Sequence, residues 1–457
     1  MKKLSTERFS IMKNLTQGNI YKNFILFAFP MVLAGILSQS YHIIDTVIAG
    51  KFLGNTGLAA IGSTSAFISF LSSIFCGYGT GFALYLGRLF AAKEYQKLKD
   101  VFYTNFLAYS LIMILFSLLC VFCQPFLFRF LQVDPAIQEE ASVYFTVYML
   151  GFFIILLNIN GTYLLNALGI STYTLYMSIL STVLNISGNL LCVAVLKTGI
   201  VGLATSTVFS ALVVTICYYL KLRQCFAKMK VADTGVRISF SSLNESYSYS
   251  VPTTLQQVIM YLAGFLISPL INGLGSAASS AYSVVMQVYN FNAAIYQNST
   301  KTVGSYTTHC VGCGKYRLLK KGVYVGFLQG LLFVLPFLIA CILFADRICA
   351  MFYPNGYQGP DLTYAIIFAR FYLPLILFNV MNNLFHAFCR GIAAKNLLVA
   401  STVIGTGTRI LATYLFVYFF GMQGVFIGWA FSWFAEAVFC IISFFSRRWE
   451  KKLPCNS

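Results

Sequence analysis

In 457 residues the chain is 58% hydrophobic and only 10% charged, with a mean hydropathy of +0.77. Those values exclude a soluble globular domain and place the chain in a lipid bilayer. The formal net charge of +18 would suit a nucleic-acid binder, but the cations are dispersed over short segments between apolar stretches, where anionic headgroups account for them, so membrane lipids are expected partners and nucleic acid is not.

A spanning helix needs roughly 20 mostly apolar residues. Twelve stretches qualify, predicted at 24–47, 58–85, 101–126, 141–162, 173–196 and 201–222, then 247–271, 278–306, 323–344, 362–388, 397–420 and 425–445. The first 19 residues are polar and basic and lack a small-residue cleavage site, so no removable signal peptide is expected.

An even number of spans puts both termini on one side, and basic residues choose the side. One set of segments carries Lys2, Lys3, Arg8, Lys13 and Lys22, then Arg88, Lys93, Lys97 and Lys99, the stretch 221–237, Lys315 to Lys321, Arg390 with Lys395, and 447–452. The other keeps Lys51, Arg129, Lys197 and Arg347 and gathers the acids Asp134, Glu139, Glu140, Asp346 and Asp361. A multi-pass protein of the cytoplasmic membrane with cytoplasmic termini is therefore expected.

The second half repeats the first at a spacing of about 220 residues. Pro30 faces Pro252, Leu53-Gly54 faces Leu274-Gly275, Ala60 faces Ala281, and Tyr95 faces Tyr316. Ser181-Thr182-Val183 faces Ser401-Thr402-Val403, and Gly199 and Gly202 face Gly421 and Gly424. A steady offset over a whole half-chain marks a secondary transporter built from repeats. The fold class expected is an all-α integral membrane protein with twelve transmembrane helices in two pseudo-twofold-related six-helix bundles. The bundles are expected at 1–222, with a cytoplasmic N-terminal segment, and at 247–457, with a short tail; 223–246 is a cytoplasmic linker. Pro30 and Pro252 are predicted hinges.

The thirteen cysteines are mostly scattered singly through apolar spans, where Cys behaves as a small hydrophobe. Cys120 with Cys123 and Cys310 with Cys313 have CxxC spacing, but neither has a second ligand pair nearby. No metal site is expected.

Polar residues inside spans are costly and face a cavity or a partner. On the eighth span Gln287, Asn290, Asn298, Lys301 and Ser305 share a helical face, as do Asn379, Asn382, Asn383, His386 and Arg390 on the tenth. Ser178, Thr182, Asn185 and Asn189 line the fifth, and Thr253, Thr254, Gln256 and Gln257 open the seventh. Such stripes predict a hydrated cavity, against the alternative of hydrogen bonding between helices. Asp45 and Glu436 are the carboxylates deep in spans, able to carry a proton or hold a monovalent cation, or else to pair with Arg409 or Lys301. The histidines His42, His309 and His386 stand far apart, and no catalytic set is present, so the chain is not expected to be an enzyme.

Pro30, Asp45 and Leu53-Gly54 with Leu58-Ala59-Ala60-Ile61-Gly62 resemble the opening signature of the multidrug and toxic compound extrusion (MATE) transporters of the MOP flippase superfamily. Leu274-Gly275, Ala281-Tyr282-Ser283, Arg390-Gly391 and Arg409 extend the resemblance over the whole chain; it is bacterial in type and closest in its N-terminal motif to the DinF-like branch. The resemblance implies two bundles in a V and export driven by inward H⁺ or Na⁺. In that branch the N-terminal bundle holds the cation through an Asp on the first helix, an Asn and an Asp on the fifth and a Thr on the sixth. The matching residues here are Asp45, Asn185, Asn189 and Thr207, so the second carboxylate has become an amide.

The acids that another branch carries on helices seven and ten are replaced here by Gln256, Gln257, Asn382 and Asn383. The substrate cavity is expected from Gln256, Gln257, Gln287, Asn290, Lys301, Asn379, Asn382, Asn383, His386, Arg409 and Glu436. The expected activity is antiport of small organic, cationic drug-like molecules by a monomer without cofactor other than the coupling ion. A flippase for lipid-linked oligosaccharides is the alternative; its cavity would be strongly cationic. Lys301, His386 and Arg409 offset Asp45 and Glu436, which leaves an anionic or zwitterionic substrate open as well.

Overall fold

The computed structural model describes residues 15–130, 135, 137–229, 240–353, 358–447 and 449–450. Lys2, Lys3, Arg8, Lys13, Asp134, Arg237 and the residues beyond 450 lie outside the described residues, as does the middle of the expected linker, 230–239; of His42 and Lys51 only the backbone is described.

Hydrocarbon offers backbone N–H and C=O groups no partner, so each apolar stretch closes its own hydrogen bonds as helix. Helix α1 runs Ile20–Ala91, α2 Tyr95–Phe122, α3 Gln124–Phe130, α4 Gln138–Ala167, α5 Ser171–Asn189, α6 Gly199–Lys228 and α7 Phe240–Gly273. Then follow α8 Ser276–Gly312, α9 Leu319–Leu343, α10 Ala345–Ala350, α11 Pro360–Ile367, α12 Ile376–Gly391, α13 Lys395–Phe420 and α14 Met422–Phe445. No strand occurs among the described residues.

The predicted break between the first two spans is absent: α1 is helical throughout, with the membrane-length segments Ile20–Tyr41 and Phe67–Ala91 inside it. Beyond Pro30 it contains no proline, and a glycine weakens a helix by about 1 kcal/mol without ending it. Among the described residues eleven segments are long and apolar enough to span. The twelfth, α8, has the length at 37 residues, but Gln287, Asn290, Asn292, Asn298 and Lys301 lower its hydropathy. The all-α, twelve-span architecture stands.

The duplication reaches into the turns. Lys93 and Gly314, equivalent in the repeat, both take left-handed backbone at φ 63° and 69°. Around them Glu94 N–H donates to Leu89 O, and Lys315 N–H to Cys310 O. Gly199 and Gly421 again match, at φ 65° and 54°, a conformation glycine enters without a Cβ penalty. The short helices α3 and α10 follow the third and ninth spans at the same place in each half.

The chain divides into two compact units, and their borders differ from the expected domains. Unit 1 is residues 1–14 and 37–250; unit 2 is 15–36 and 251–457. The start of α1 thus belongs with the second half of the sequence, and packing explains why. Phe24 meets Tyr306 edge-on at 5.0 Å, and Leu15, Phe27 and Met31 share a core with Val303, Val325 and Phe388. Tyr306 and Val303 press on Gly322 and Gly326, where any Cβ would sit within 2.4 Å and 2.2 Å of those side chains. The chain passes between units inside α1, two turns after Pro30, and inside α7, immediately before Pro252.

Candidate coupling site

In unit 1 three helices converge on Asp45. Tyr41 and Asp45 lie one turn apart on α1, Asn185 and Asn189 one turn apart on α5, and Ser206 and Thr207 adjoin on α6. A π-helical segment at 190–195 follows Asn189 directly, which lets Asn189 stay fully buried while Leu190 and Leu191 turn outward. Helices α5 and α6 can approach because Gly188 has no side chain: a Cβ there would stand 2.9 Å from Ser206 Cβ.

The polar atoms form one connected chain. Asn189 Nδ2 donates to Asp45 Oδ1 at 2.5 Å and to Asn185 Oδ1 at 2.9 Å. Asn185 Nδ2 donates to Tyr41 Oη and to Thr207 Oγ1, each at 3.1 Å. Ser206 Oγ donates to Asn189 Oδ1, and the Tyr41 hydroxyl also hydrogen-bonds Asp45. Hydrogen bonds to an ionised carboxylate are about twice as strong as neutral ones, so this arrangement suits Asp45 as the anion. All four predicted coupling residues come together. Tyr41 and Ser206 were missed; the only sequence signals were the spacing of Tyr41 one turn before Asp45 and the adjacency of Ser206 to Thr207.

The predicted substrate-cavity residues all fall in unit 2, where many are engaged with one another. Glu436, on α14, meets His386 Nε2 at 3.0 Å and accepts from Asn382 Nδ2 at 3.1 Å. His386 Nε2 is also 3.0 Å from Ser401 Oγ, and the three residues Glu436, His386 and Asn382 are 8%, 4% and 0% exposed. Asn379 donates to Tyr296 and Tyr289, and Asn383 donates back to Asn379. Gln256 is buried and accepts from Arg390, Lys301 donates to Asn298 at 2.8 Å, Gln257 and Asn290 are half-buried, and Gln287 is exposed. The Arg409 guanidinium lies 4.3 Å from the Trp429 ring centroid. Tyr282, named from the sequence only within the motif Ala281-Tyr282-Ser283, packs around this region with Tyr289, Trp429 and Trp433, which were not singled out from the sequence.

A family model described as MatE matches residues 30–191 and again 252–415, one match in each half of the duplication. Probable multidrug resistance protein YoeA of Bacillus subtilis (strain 168) is 22% identical over 351 residues, 75% of each chain. Multidrug export protein MepA of Staphylococcus aureus (strain NCTC 8325 / PS 47) is 23% identical over 284 residues, 60% of each. Among solved structures, an outward-facing MATE family multidrug resistance transporter of the MOP superfamily superposes with a TM-score of 0.86 at 20% identity, covering 96% of this chain and 98% of that one. The Vibrio cholerae MATE transporter VcmN gives 0.86 at 15% identity over 94% and 98%. With the family's pattern matched in both halves and its fold reproduced from end to end, the chain belongs to the MatE family, the multidrug and toxic compound extrusion transporters, which are not enzymes.

Proposed function

We propose that this protein exports small organic molecules across the cytoplasmic membrane in exchange for an inward-moving cation, that the cation is H⁺, and that Asp45 carries it. Names of similar proteins support the export half of this reading: YoeA is described as a probable multidrug resistance protein and MepA as a multidrug export protein. The distribution of Lys and Arg supports cytoplasmic termini.

The observation that carries the choice of ion is the state of the oxygens around Asp45. Asn189 turns its N–H to the carboxylate and has its own oxygen taken by Ser206, and the Asn185 oxygen is taken by Asn189. A Na⁺ ion would need those oxygens, whereas a proton needs the carboxylate alone. Protonation removes the charge of Asp45 and gives it one O–H donor beside its remaining acceptor oxygen. The bond from Asn189 then loses its charge assistance, which loosens the chain from Asp45 through Asn189 and Asn185 to Thr207. That couples the charge on Asp45 to the seating of α1 against α5 and α6. The backbone crossings near Pro30 and Pro252 are the hinges of alternating access in this scheme.

The test is export of a fluorescent dye from proteoliposomes under an imposed pH gradient or an imposed Na⁺ gradient. Export driven by the pH gradient alone is expected; export that needs Na⁺ and ignores pH would overturn the assignment.

A further inference from the structure

The duplication allows the coupling site of unit 1 to be compared with its counterpart in unit 2. The register that carries Pro30 onto Pro252 carries Asp45 onto Ile267. The register that carries Ser181 onto Ser401 carries Asn189 onto Arg409, and the one that carries Gly199 onto Gly421 carries Ser206 onto Gly428 and Thr207 onto Trp429. Equivalent stretches meet in the two units: Asn189 meets Ser206 in unit 1, and Arg409 meets Trp429, the neighbour of the Ser206 counterpart Gly428, in unit 2. Where one unit sets a carboxylate among neutral oxygens, the other sets a fully buried isoleucine, a guanidinium and an indole. The polarity is reversed.

Arg409 lies on the inward face of α13, in line with the buried Ser401, Gly405, Ala412 and Thr413. A cation at membrane depth normally finds a counter-ion, yet among the described residues Arg409 has no carboxylate within 4.0 Å. Glu436 packs on Gly405 one turn away and is occupied by His386 and Asn382. The Tyr282 side chain neighbours Arg409. Three polar atoms in this place have no partner in the described structure: Arg409 Nε, Trp429 Nε1 and Thr413 Oγ1. The Trp429 and Thr413 side chains are 1% and 0% exposed. Thr413 packs on Gly428, where a Cβ would stand 2.5 Å from its Oγ1, so the three groups share one patch between α13 and α14. Guanidinium and indole N–H groups can only donate. The complement of such a set is a group that only accepts. Beside it Tyr289 stacks on Trp433 at 5.8 Å and meets Trp429 edge-on, so the patch borders an aromatic cluster.

We propose that Arg409, Trp429 and Thr413 form a binding site for the acidic group, carboxylate or sulfonate, of a ring-bearing organic anion, and that such anions belong to the substrates of this transporter. The proposal rests on the exporter reading above for its role and on unit 2 alone for its geometry.

The test is equilibrium dialysis of the purified full-length protein with radiolabelled 2-naphthoate and with 2-naphthyltrimethylammonium as the matched cation. Saturable binding of naphthoate in preference to the ammonium is expected. Arg409→Gln should weaken it roughly tenfold or more, the scale of a lost charged hydrogen bond, and Arg409→Lys should weaken it less. Trp429→Phe, which keeps a ring and loses the N–H, should also weaken it and covers the case in which Arg409→Gln does not fold. Preference for the ammonium, wild-type affinity in both Arg409→Gln and Trp429→Phe, or displacement of naphthoate by phosphatidylglycerol would each overturn the assignment. Proton-driven export by Asp45→Asn vesicles reads the exporter proposal separately: normal export there defeats that proposal and leaves the naphthoate result standing.

Discussion

Asn189 reaches Asp45 Oδ1 with the same nitrogen that it offers to Asn185 Oδ1, at 2.5 Å and 2.9 Å. A carboxylate at position 189 would turn that donor into an acceptor facing Asp45. Two carboxylates at such a separation cannot both stay ionised without a cation between them. Asn189→Asp is therefore expected to make dye export in proteoliposomes depend on external Na⁺; export that stays independent of Na⁺ would remove Asn189 from the coupling role.

The repeat-related glycines Gly202 and Gly424 should differ in their tolerance of a methyl group. A Cβ at Gly424 would stand 2.2–2.4 Å from three backbone atoms of Phe416 and Val417, whereas at Gly202 the two nearest atoms belong to side chains, Thr198 Oγ1 at 2.1 Å and Cys192 Cβ at 2.8 Å, and the nearest backbone atom is 3.4 Å away. Gly424→Ala is expected to lose most of its monodisperse peak in detergent size-exclusion chromatography, and Gly202→Ala to keep most of it. Equal behaviour would mean that α13 and α14 do not approach as described.

His386 and Glu436 are both nearly inaccessible and 3.0 Å apart. Removing one member of a buried pair typically costs about 3–5 kcal/mol. His386→Ala should accordingly lower the melting temperature in detergent by several degrees or more, and an unchanged melting temperature would show that Glu436 does not need this partner.

Orientation is read by labelling. In a background whose exposed cysteines are replaced by serine, a membrane-impermeant maleimide added outside intact cells should modify a cysteine placed at Met351, which is 81% exposed, and spare one placed at Arg223. The opposite pattern would invert the topology.

The twelve spans and the duplication were legible because lipid imposes length and hydropathy on every segment, and the residues of the candidate coupling site were legible through the family pattern around Pro30, Asp45 and Leu53-Gly54. What escaped depends on contacts that no local pattern records. The start of α1 joins unit 2 because Phe24 finds Tyr306 and Tyr306 finds the bare face of Gly322. The polar stripe on α12 reported which face turns inward but not what it meets: Asn379 meets Tyr289 and Tyr296, and Asn382 meets Glu436; on α8 the stripe misreported the buried face, since Gln287 is exposed and Asn290 half-buried. Tyr41 and Ser206 looked like any other hydroxyl residues in an apolar helix until Asn185 and Asn189 closed on them.

The account stands most directly on Asp45, and the measurement is pH-gradient-driven dye export by Asp45→Asn in proteoliposomes, with detergent chromatography to check that the variant is folded. The variant is expected to fold and insert yet to show no export above that of empty vesicles when the pH gradient is imposed. A folded Asp45→Asn protein that exports at the wild-type rate would contradict the account.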